Sequence, residues 1–460
     1  MNSILTLLIS ALIACGLLVI KKCASLKQTP MLKILVIVYC LVGFVRYFLS
    51  DSFVEVVFDG ADIFSSLLRT FHHISYAVLP MAVFFKRRIF RNIAVYFDLP
   101  VAVVAAVAFD RTFAYFTAEG GGGYYIGVLE RTVFYMSELV LAIVIPLLLA
   151  LGEGHRINAR SPKEWILTYL SSAVISWIMM PSYIIQSTIG FTGLSSDTYG
   201  NMHLGWILYM IVVPIIAFHV FKRRSMEEKH ELCIFLSIAQ MYHTMSIFLR
   251  GFTYSRIPLQ LCCIAAFLYF IAIALKHRKM FDFCYVSNMV GAFIAIAIAS
   301  FSSDALSFWN VHYMQEHTFV VVVPLLAYSL GLFPRLDTKA LRHVIPMFSA
   351  YFIFCLVLGS MINTLVPDGT GFTVNYFYMF NNTVAIEYVP FASFVNLIEL
   401  KIAGISYFPI LIVVVYIVFV LLCALFFYGN LAGYAIKDRL SGVKRGKPEI
   451  AEYTSAIRRL

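Results

Sequence analysis

The chain carries unusually little charge. Only 13% of its 460 residues are Asp, Glu, Lys or Arg, whereas a soluble domain carries about 25%. Hydrophobic residues make up 61% of the chain, and the mean hydropathy is +0.85. These values exclude an ordinary soluble enzyme, a disordered chain and a collagen-like chain. The net charge of +10 therefore indicates orientation in a membrane and does not predict a nucleic-acid partner.

Motifs for metal, phosphate or disulfide chemistry are also missing. The nine cysteines fall mostly inside apolar runs and form no CxxC pair. The glycines at 120–123 lack the lysine and the strand–helix setting of a phosphate-binding loop. No basic residue precedes the first apolar run, which predicts a first transmembrane helix and no cleaved signal peptide. The sequence thus predicts no metal, no cofactor and no soluble domain.

Apolar runs of membrane-spanning length dominate the chain. Because about 20 apolar residues cross a bilayer, we predict an all-α polytopic membrane protein with about thirteen transmembrane helices. The runs lie at about 2–20, 31–49, 70–85, 91–109, 132–151, 164–184, 203–221, 231–249, 257–275, 281–300, 315–333, 343–365 and 405–428.

Charge in the connectors alternates from one side to the other. Basic clusters at 86–88, 222–224 and 276–279 and the tail from 437 onward fall on one side, and acidic or Gly-rich connectors fall on the other. The positive-inside rule places the basic side in the cytoplasm. We therefore expect a multi-pass protein of the plasma membrane with its N-terminus outside and its C-terminus cytoplasmic.

Segments of the first half of the chain match segments of the second half, at an offset that falls from about 190 to about 178 residues. Glu138 and Pro146 are separated like Glu316 and Pro324, and residues 86–88 align with 276–278. Chance similarity of apolar segments is the alternative, but a matched glutamate inside an apolar run is hard to obtain from composition. We predict two six-helix repeats, parallel because six is even. The predicted domains are an N-terminal helix and connector (1–30), a first repeat (31–224), a second repeat (231–428) and a basic cytoplasmic tail (429–460).

Ionisable residues inside the predicted spans are the candidates for function. Each costs several kcal/mol in a membrane unless it is paired or faces a cavity. For a single residue, an interhelical hydrogen bond or a snorkelling side chain is the ordinary explanation. The candidates are Arg46, Asp98, Glu138, His219, His243, Arg250, Asp282, His312, Glu316 and His317.

The second repeat brings several of these residues to one end. Cys262 lies about five residues below the outer start of its predicted helix, and His312, Tyr313, Glu316 and His317 open another helix from the same side. His312 and Glu316 are four residues apart, as are Tyr313 and His317, so each pair lies on one face of the predicted helix. A neighbouring imidazole and carboxylate make a thiol nucleophilic. Alone, a cysteine is an ordinary small apolar residue in a membrane helix.

The first repeat lacks this combination. Leu139 occupies the position of His317, and residues 71–74 read Phe-His-His-Ile where the second repeat has its thiol. Only the second repeat can therefore carry a Cys/His pair. The first repeat is predicted to be a scaffold or a site with different chemistry.

Three ordered segments resemble a known family. They are Ile-Pro-Leu-Gln-Leu-Cys-Cys-Ile at 257–264, then His317 in a later helix, and then Asn-Tyr-Phe-Tyr-Met at 375–379. Residues 231–428 resemble the YwaF-like family of bacterial integral membrane proteins, which includes the animal transmembrane protein 164. The family has a His where this chain has Gln260 and a Ser at the position of Cys263. The resemblance implies a lipid acyltransferase-like fold with Cys262 as nucleophile and His317 as base.

The leading hypothesis is an acyltransferase acting on phospholipid acyl chains near the outer face, with membrane lipids as its partners. Water as acceptor would make it a lipid hydrolase. The alternatives are a transporter or lipid exporter built from tandem repeats, and a non-catalytic family member. The residues predicted to support the Cys262/His317 pair are Glu316, Gln260, His312, Tyr313, Asn375 and Tyr378.

Overall fold

The computed structural model is almost entirely helical over the residues that it describes. Those residues are 2–23, 28–49, 63–85, 87–110, 128–151, 161–180, 182, 185, 199–247, 254, 257–297, 299, 304, 306–365, 374–380 and 392–440. The helices of the first half are α1 (Asn2–Cys23), α2 (Gln28–Leu49), α3 (Ile63–His73), α4 (Ser75–Pro80), α5 (Arg88–Val107), α6 (Val128–Ala150), α7 (Pro162–Ile178) and α8 (Asn201–Phe221).

The second half continues in the same manner. Its helices are α9 (Met226–Met245), α10 (Leu261–Ala274), α11 (Arg278–Ala297), α12 (Phe308–Ser329), α13 (Leu341–Leu365) and α14 (Pro409–Leu440). A short antiparallel hairpin, β1 (Leu400–Ile402) and β2 (Ile405–Tyr407), precedes α14. Two 3₁₀ turns lie at Tyr376–Tyr378 and Ala392–Asn396.

Each predicted apolar run contains a helix in the described part of the chain. Seven helices, α1, α5, α6, α8, α11, α13 and α14, are long and apolar enough to cross a membrane, and three further apolar helices are shorter. The all-α polytopic membrane fold is therefore confirmed. The number thirteen and the duplication remain predictions.

Some helix ends differ from the apolar runs. Helix α10 begins at Leu261 because Gln260 is extended (ψ 149°) and Pro258 disfavours helical backbone before it. Helix α12 begins at Phe308, well before residue 315, since Ser307 accepts the Asn310 N–H at 3.4 Å as an N-cap. Polar residues in its first turns hide this start from a hydropathy reading.

The described residues contain three π-helical turns: Met81–Phe85 directly follows α4, and the other two interrupt otherwise regular helices. In α5 the turn spans Ala94–Asp98, and in α11 it spans Cys284–Asn288; six α-helical residues precede each turn and nine follow it. In α11 the Cys284 carbonyl lies 3.1 Å from the Tyr269 hydroxyl, which satisfies it within the apolar interior. Single π turns of this kind are frequent at functional sites.

The chain divides into two compact units. The first contains Met1–Trp206, Phe235–Arg256 and Ser300–Glu316, and the second contains Ile207–Ile234, Ile257–Ala299 and His317–Leu460. In the first unit, Arg88 pairs with Glu164 at 2.9 Å.

Ion pairs join several elements of the second unit. Arg278 at the start of α11 pairs with Asp337 at 3.0 Å, before α13 begins. Arg335, after α12, pairs with Asp438 near the end of α14 at 2.9 Å. The basic segment 276–279 and the tail from 437, which the charge pattern assigned to one side of the membrane, thus both contact the connector between α12 and α13.

Candidate functional site

Two thiols lie at the N-terminal end of α10. Cys262 and Cys263 are both half-buried, and their sulfurs are 3.8 Å apart. The N-cap residue Gln260 makes no side-chain hydrogen bond to the first turn of α10. Helix N-termini are a common location for reactive cysteines. The arrangement suits a nucleophilic cysteine.

The side chain of Gln260 instead holds a loop of the same unit. Its Nε2 donates to the Asn375 carbonyl at 3.2 Å, and its Oε1 accepts the Phe377 N–H at 3.3 Å. The Asn375 Oδ1 accepts the Phe380 N–H at 2.9 Å. Three of the predicted supporting residues are thereby located: Gln260 and Asn375 are joined, and Tyr378 lies in the same loop with half of its surface exposed.

This loop contains two successive left-handed residues. The φ angles of Phe377 and Tyr378 are 54° and 59°, a conformation that costs about 1–2 kcal/mol per non-glycine residue. It persists because surrounding contacts determine it. Besides Gln260, the Asn363 amide on α13 clamps Val374 through two hydrogen bonds of 2.8 and 3.0 Å. The loop 374–380 is therefore a fixed part of the site's wall.

Gly359 on α13 allows the loop to approach closely. A Cβ at this position would lie 2.7 Å from the Phe380 ring, whereas at Gly433 on α14 nothing lies within 4 Å. We expect Gly359→Ala to destabilise the protein by about 1–3 kcal/mol through overpacking. Thermal unfolding in detergent measures this, with Gly433→Ala as the matched control. Equal midpoints for the two variants would contradict the prediction.

Two tyrosines lie near one or both of the thiols at the start of α10. Tyr351 on α13 donates to the Leu259 carbonyl at 2.5 Å and lies within electrostatic range of both Cys262 and Cys263. Tyr376 is buried close to Cys263, and its hydroxyl has no hydrogen-bond partner among the described residues. Burial raises the pKa of Tyr376 above its usual range, so this phenol remains a neutral donor. Sequence reasoning missed both tyrosines, because aromatics in apolar segments look like ordinary core.

His317 and Cys262 occupy different depths along their helices from those predicted. Since α12 begins at Phe308, His317 lies nine residues, or about 14 Å, along it. Cys262 is the second residue of α10 and not the fifth or sixth. His317 is 4% exposed. Both residues belong to the second unit, and their pairing remains a prediction.

His312, Tyr313 and Glu316 belong to the first unit. Glu316 accepts a hydrogen bond from Thr244 at 2.9 Å and lies 3.9 Å from the His312 ring. Ser246 lies 3.3 Å from the other ring nitrogen of His312. The predicted pairing of His312 with Glu316 is therefore observed, and Tyr313 is half-buried on the same helix.

The other ionisable candidates have separate surroundings. His243 contacts the Ile178 carbonyl at 2.7 Å, and Asp282 lies 3.6 Å from Arg278. His219 is exposed and bonds within its own helix. The side chain of Arg46 and all of Arg250 lie outside the described residues. Asp98 and Glu138 are completely buried in the first unit.

The apolar helices and the thiols at a helix end define an integral membrane protein with a candidate site in its C-terminal half. The sequence model of the TMEM164 family matches residues 198–428. The chain belongs to this family. The match begins at residue 198 and not at 231, so it includes α8. No curated protein sequence and no solved structure matches the chain.

Proposed function

We propose that the protein transfers acyl chains between membrane phospholipids through a covalent thioester on Cys262. The observation that carries the proposal is a half-buried thiol in the first turn of α10, beside a loop fixed by Gln260. Membership of the TMEM164 family supports a role in the membrane. A thiol at such a helix end is suited to nucleophilic catalysis.

The reaction proceeds in two balanced steps. The Cys262 thiol gives its proton to His317, and the sulfur attacks the ester carbonyl of a phospholipid acyl chain. The ester C–O bond breaks, the acyl group forms a thioester, and the departing glycerol oxygen takes the proton from His317. A lysophospholipid hydroxyl then gives its proton to His317 and attacks the thioester. The C–S bond breaks and the proton returns to the Cys262 sulfur.

The developing oxyanion needs a hydrogen-bond donor. Gln260 and the Asn375 side chain already bond to the loop backbone, which makes them positioning residues in this proposal. The buried Tyr376 hydroxyl lies near Cys263, the neighbour of Cys262, and lacks a described partner. We assign it the role of oxyanion donor, and the exposed Tyr378 a contact with the lipid head group.

Loss of this donor has a measurable effect. We expect Tyr376→Phe to lower kcat on the order of 10²-fold, as removal of a single oxyanion donor does, with little change in KM or thermal stability. Steady-state transfer of a labelled acyl chain measures it. Tyr428→Phe, an exposed tyrosine on α14, is the control. A change in KM alone would instead indicate a binding role for Tyr376.

The proposal also includes the internal duplication and the orientation of the protein in the membrane. The π turns of α5 and α11, which occupy the same place in their helices, support the internal duplication. The contact between Arg335 and Asp438 supports a common cytoplasmic side for their segments. With the N-terminus outside, the start of α10 and the loop 374–380 face the outer leaflet. The second repeat then carries the thiol site and the first repeat does not.

The direct test is to trap the acyl-enzyme. The full-length protein is incubated with phospholipid that carries a labelled acyl chain, and a hydroxylamine-sensitive adduct is located by mass spectrometry. We expect the label on Cys262 and not on Cys263, which is also half-buried. Label on neither thiol, or equally on both, would refute the proposal. Transfer of whole lipid across the membrane without an adduct would favour the transporter alternative.

A further inference from the structure

A second polar cluster lies inside the first unit. It is distant in sequence from the two thiols and contains no cysteine. Helices α2 to α6 contribute its members, which are at most 8% exposed. The first-repeat cluster consists of Tyr39, His72, Ser75, Tyr76, Asp98 and Glu138.

The break between α3 and α4 brings two of its side chains to the acidic residues. At this break, Ile74 lies between the end of α3, which carries His72, and the start of α4, which carries Ser75 and Tyr76. The Tyr76 hydroxyl donates to Glu138 Oε1 at 2.6 Å, and the His72 Nε2 lies 3.7 Å from the same oxygen. Ser75 Oγ is hydrogen-bonded to Asp98, the last residue of the π turn in α5.

The Ser75 hydroxyl lies between two hydrogen-bond acceptors. Ser75 Oγ lies within bonding distance of both the Asp98 carboxylate and the His72 carbonyl, 2.7 Å away. One hydroxyl has one proton and can serve only one of these acceptors. If Asp98 carries a proton, it donates to Ser75, which donates to His72, and both contacts are satisfied. A metal cation at the carboxylate would likewise release the Ser75 proton for the carbonyl.

Other buried atoms of the cluster also lack partners. Among the described residues, Asp98 Oδ2, the Tyr39 hydroxyl and both ring nitrogens of His72 make no hydrogen bond. Tyr39 stacks on Tyr76 and lies near both carboxylates. An ionised carboxylate without a basic partner costs several kcal/mol in a membrane interior. Asp98 Oδ2 and the Tyr39 hydroxyl are buried oxygen atoms of the kind that a small cation binds.

The second repeat differs at the corresponding positions. When the π turns of α5 and α11 are aligned in sequence, neutral residues replace four members of the cluster: Cys262 for His72, Ala265 for Ser75, Ala266 for Tyr76 and Asn288 for Asp98. The Asn288 amide donates to the Leu261 carbonyl at 2.6 Å and needs no cation for this bond. At aligned positions, the second repeat therefore carries a thiol and the first repeat carries the acidic cluster.

We propose that the first-repeat cluster binds one small monovalent cation, a proton or a sodium ion, at Asp98. Ser75 and Tyr39 supply neutral oxygens beside the carboxylate, and the Tyr76 hydroxyl donates a hydrogen bond to Glu138 beside His72. The other titratable groups facing the cluster are His73 and Tyr242, which are bonded to each other. The site is independent of acyl transfer, and its occupancy stabilises the native protein because the unfolded chain lacks it.

The test is the thermal unfolding midpoint of the full-length protein between about pH 6 and pH 8, in sodium chloride or in choline chloride of equal ionic strength. A sodium site predicts a midpoint several degrees higher in sodium at pH 8. A proton site predicts a midpoint that falls as pH rises in choline, because the native state then loses a proton that the unfolded chain does not hold. Either response must be strongly reduced in Asp98→Asn.

Asp282→Asn is the matched control for the sodium response. Asp282 is also a buried membrane aspartate, but it faces Arg278 and His343 at 3.6 and 3.2 Å, so this variant should retain the wild-type response to sodium. Identical responses of wild type and Asp98→Asn to both sodium and pH would overturn the proposal.

A measurement on the wild type covers the case in which Asp98→Asn does not fold. Dicyclohexylcarbodiimide reacts with protonated carboxyls in apolar surroundings, and mass spectrometry locates the product. We expect modification of Asp98 that decreases with rising pH, and with sodium as well if sodium is the occupant. Absence of modification at Asp98 throughout the pH range would also overturn the proposal.

Discussion

Replacement of Cys262 by serine is expected to lower phospholipid acyl transfer by on the order of 10³-fold or more, as loss of a covalent nucleophile does in other enzymes. A serine hydroxyl is far less acidic than a thiol, so a base and a helix end that suffice for a thiolate do not produce an alkoxide. The side chain is nearly isosteric, and the half-buried position at the start of α10 tolerates it. Folding should therefore be preserved while the chemistry is lost.

Cys263→Ser is the matched control for this variant. The two sulfurs are 3.8 Å apart, and the family resemblance places a serine at position 263. We expect Cys263→Ser to retain most of the wild-type rate. The measurement is the initial rate of labelled acyl transfer between lipids in reconstituted vesicles. Equal loss in both variants, or full activity in Cys262→Ser, would contradict the assignment of the nucleophile.

Replacement of His317 by glutamine is also expected to lower the rate of acyl transfer strongly. Loss of a general base typically costs about 10²–10⁴-fold. At higher pH the thiol ionises without help from the imidazole. The His317→Gln variant should therefore recover part of its rate as pH rises. The wild-type rate should depend less on pH. The formation rate of the acyl adduct, measured from pH 6 to pH 10, gives the comparison.

The pH profile separates a base from a structural residue. If His317 only supports packing, the glutamine variant should lose activity uniformly at every pH. His230→Gln is the matched control, since His230 also belongs to the second unit and bonds to the Ile273 carbonyl at 2.9 Å. The control should follow the wild-type profile. An unchanged rate in His317→Gln at neutral pH would remove the histidine from the mechanism.

The general architecture was predictable because a membrane imposes length and composition on its helices. Hydropathy runs located a helix in every predicted segment, and three short ordered motifs sufficed to identify the family. The predicted helix starts were less accurate where the first turns of a helix contain polar residues. The start of α12 at Phe308 depends on a cap at Ser307, and this changes the depth at which His317 lies.

The site was predictable only in part, because hydrogen-bond partners distant in sequence leave no periodic signal. The pairing of His312 with Glu316 follows from helical spacing and is observed. The bonds from Gln260 to the loop backbone span 115 and 117 residues, and no spacing rule predicts them. The left-handed pair at Phe377 and Tyr378 contains no glycine that would have marked the turn.

The adjacent thiols of α10 have a consequence for oxidative chemistry. The Cα atoms of neighbouring residues are about 3.8 Å apart across a trans peptide, which is below the usual cystine separation of about 4.4–6.8 Å. Cys262 and Cys263 would therefore have to unwind the first helical turn to join. The helical start of α10 therefore disfavours a disulfide between these two neighbouring thiols.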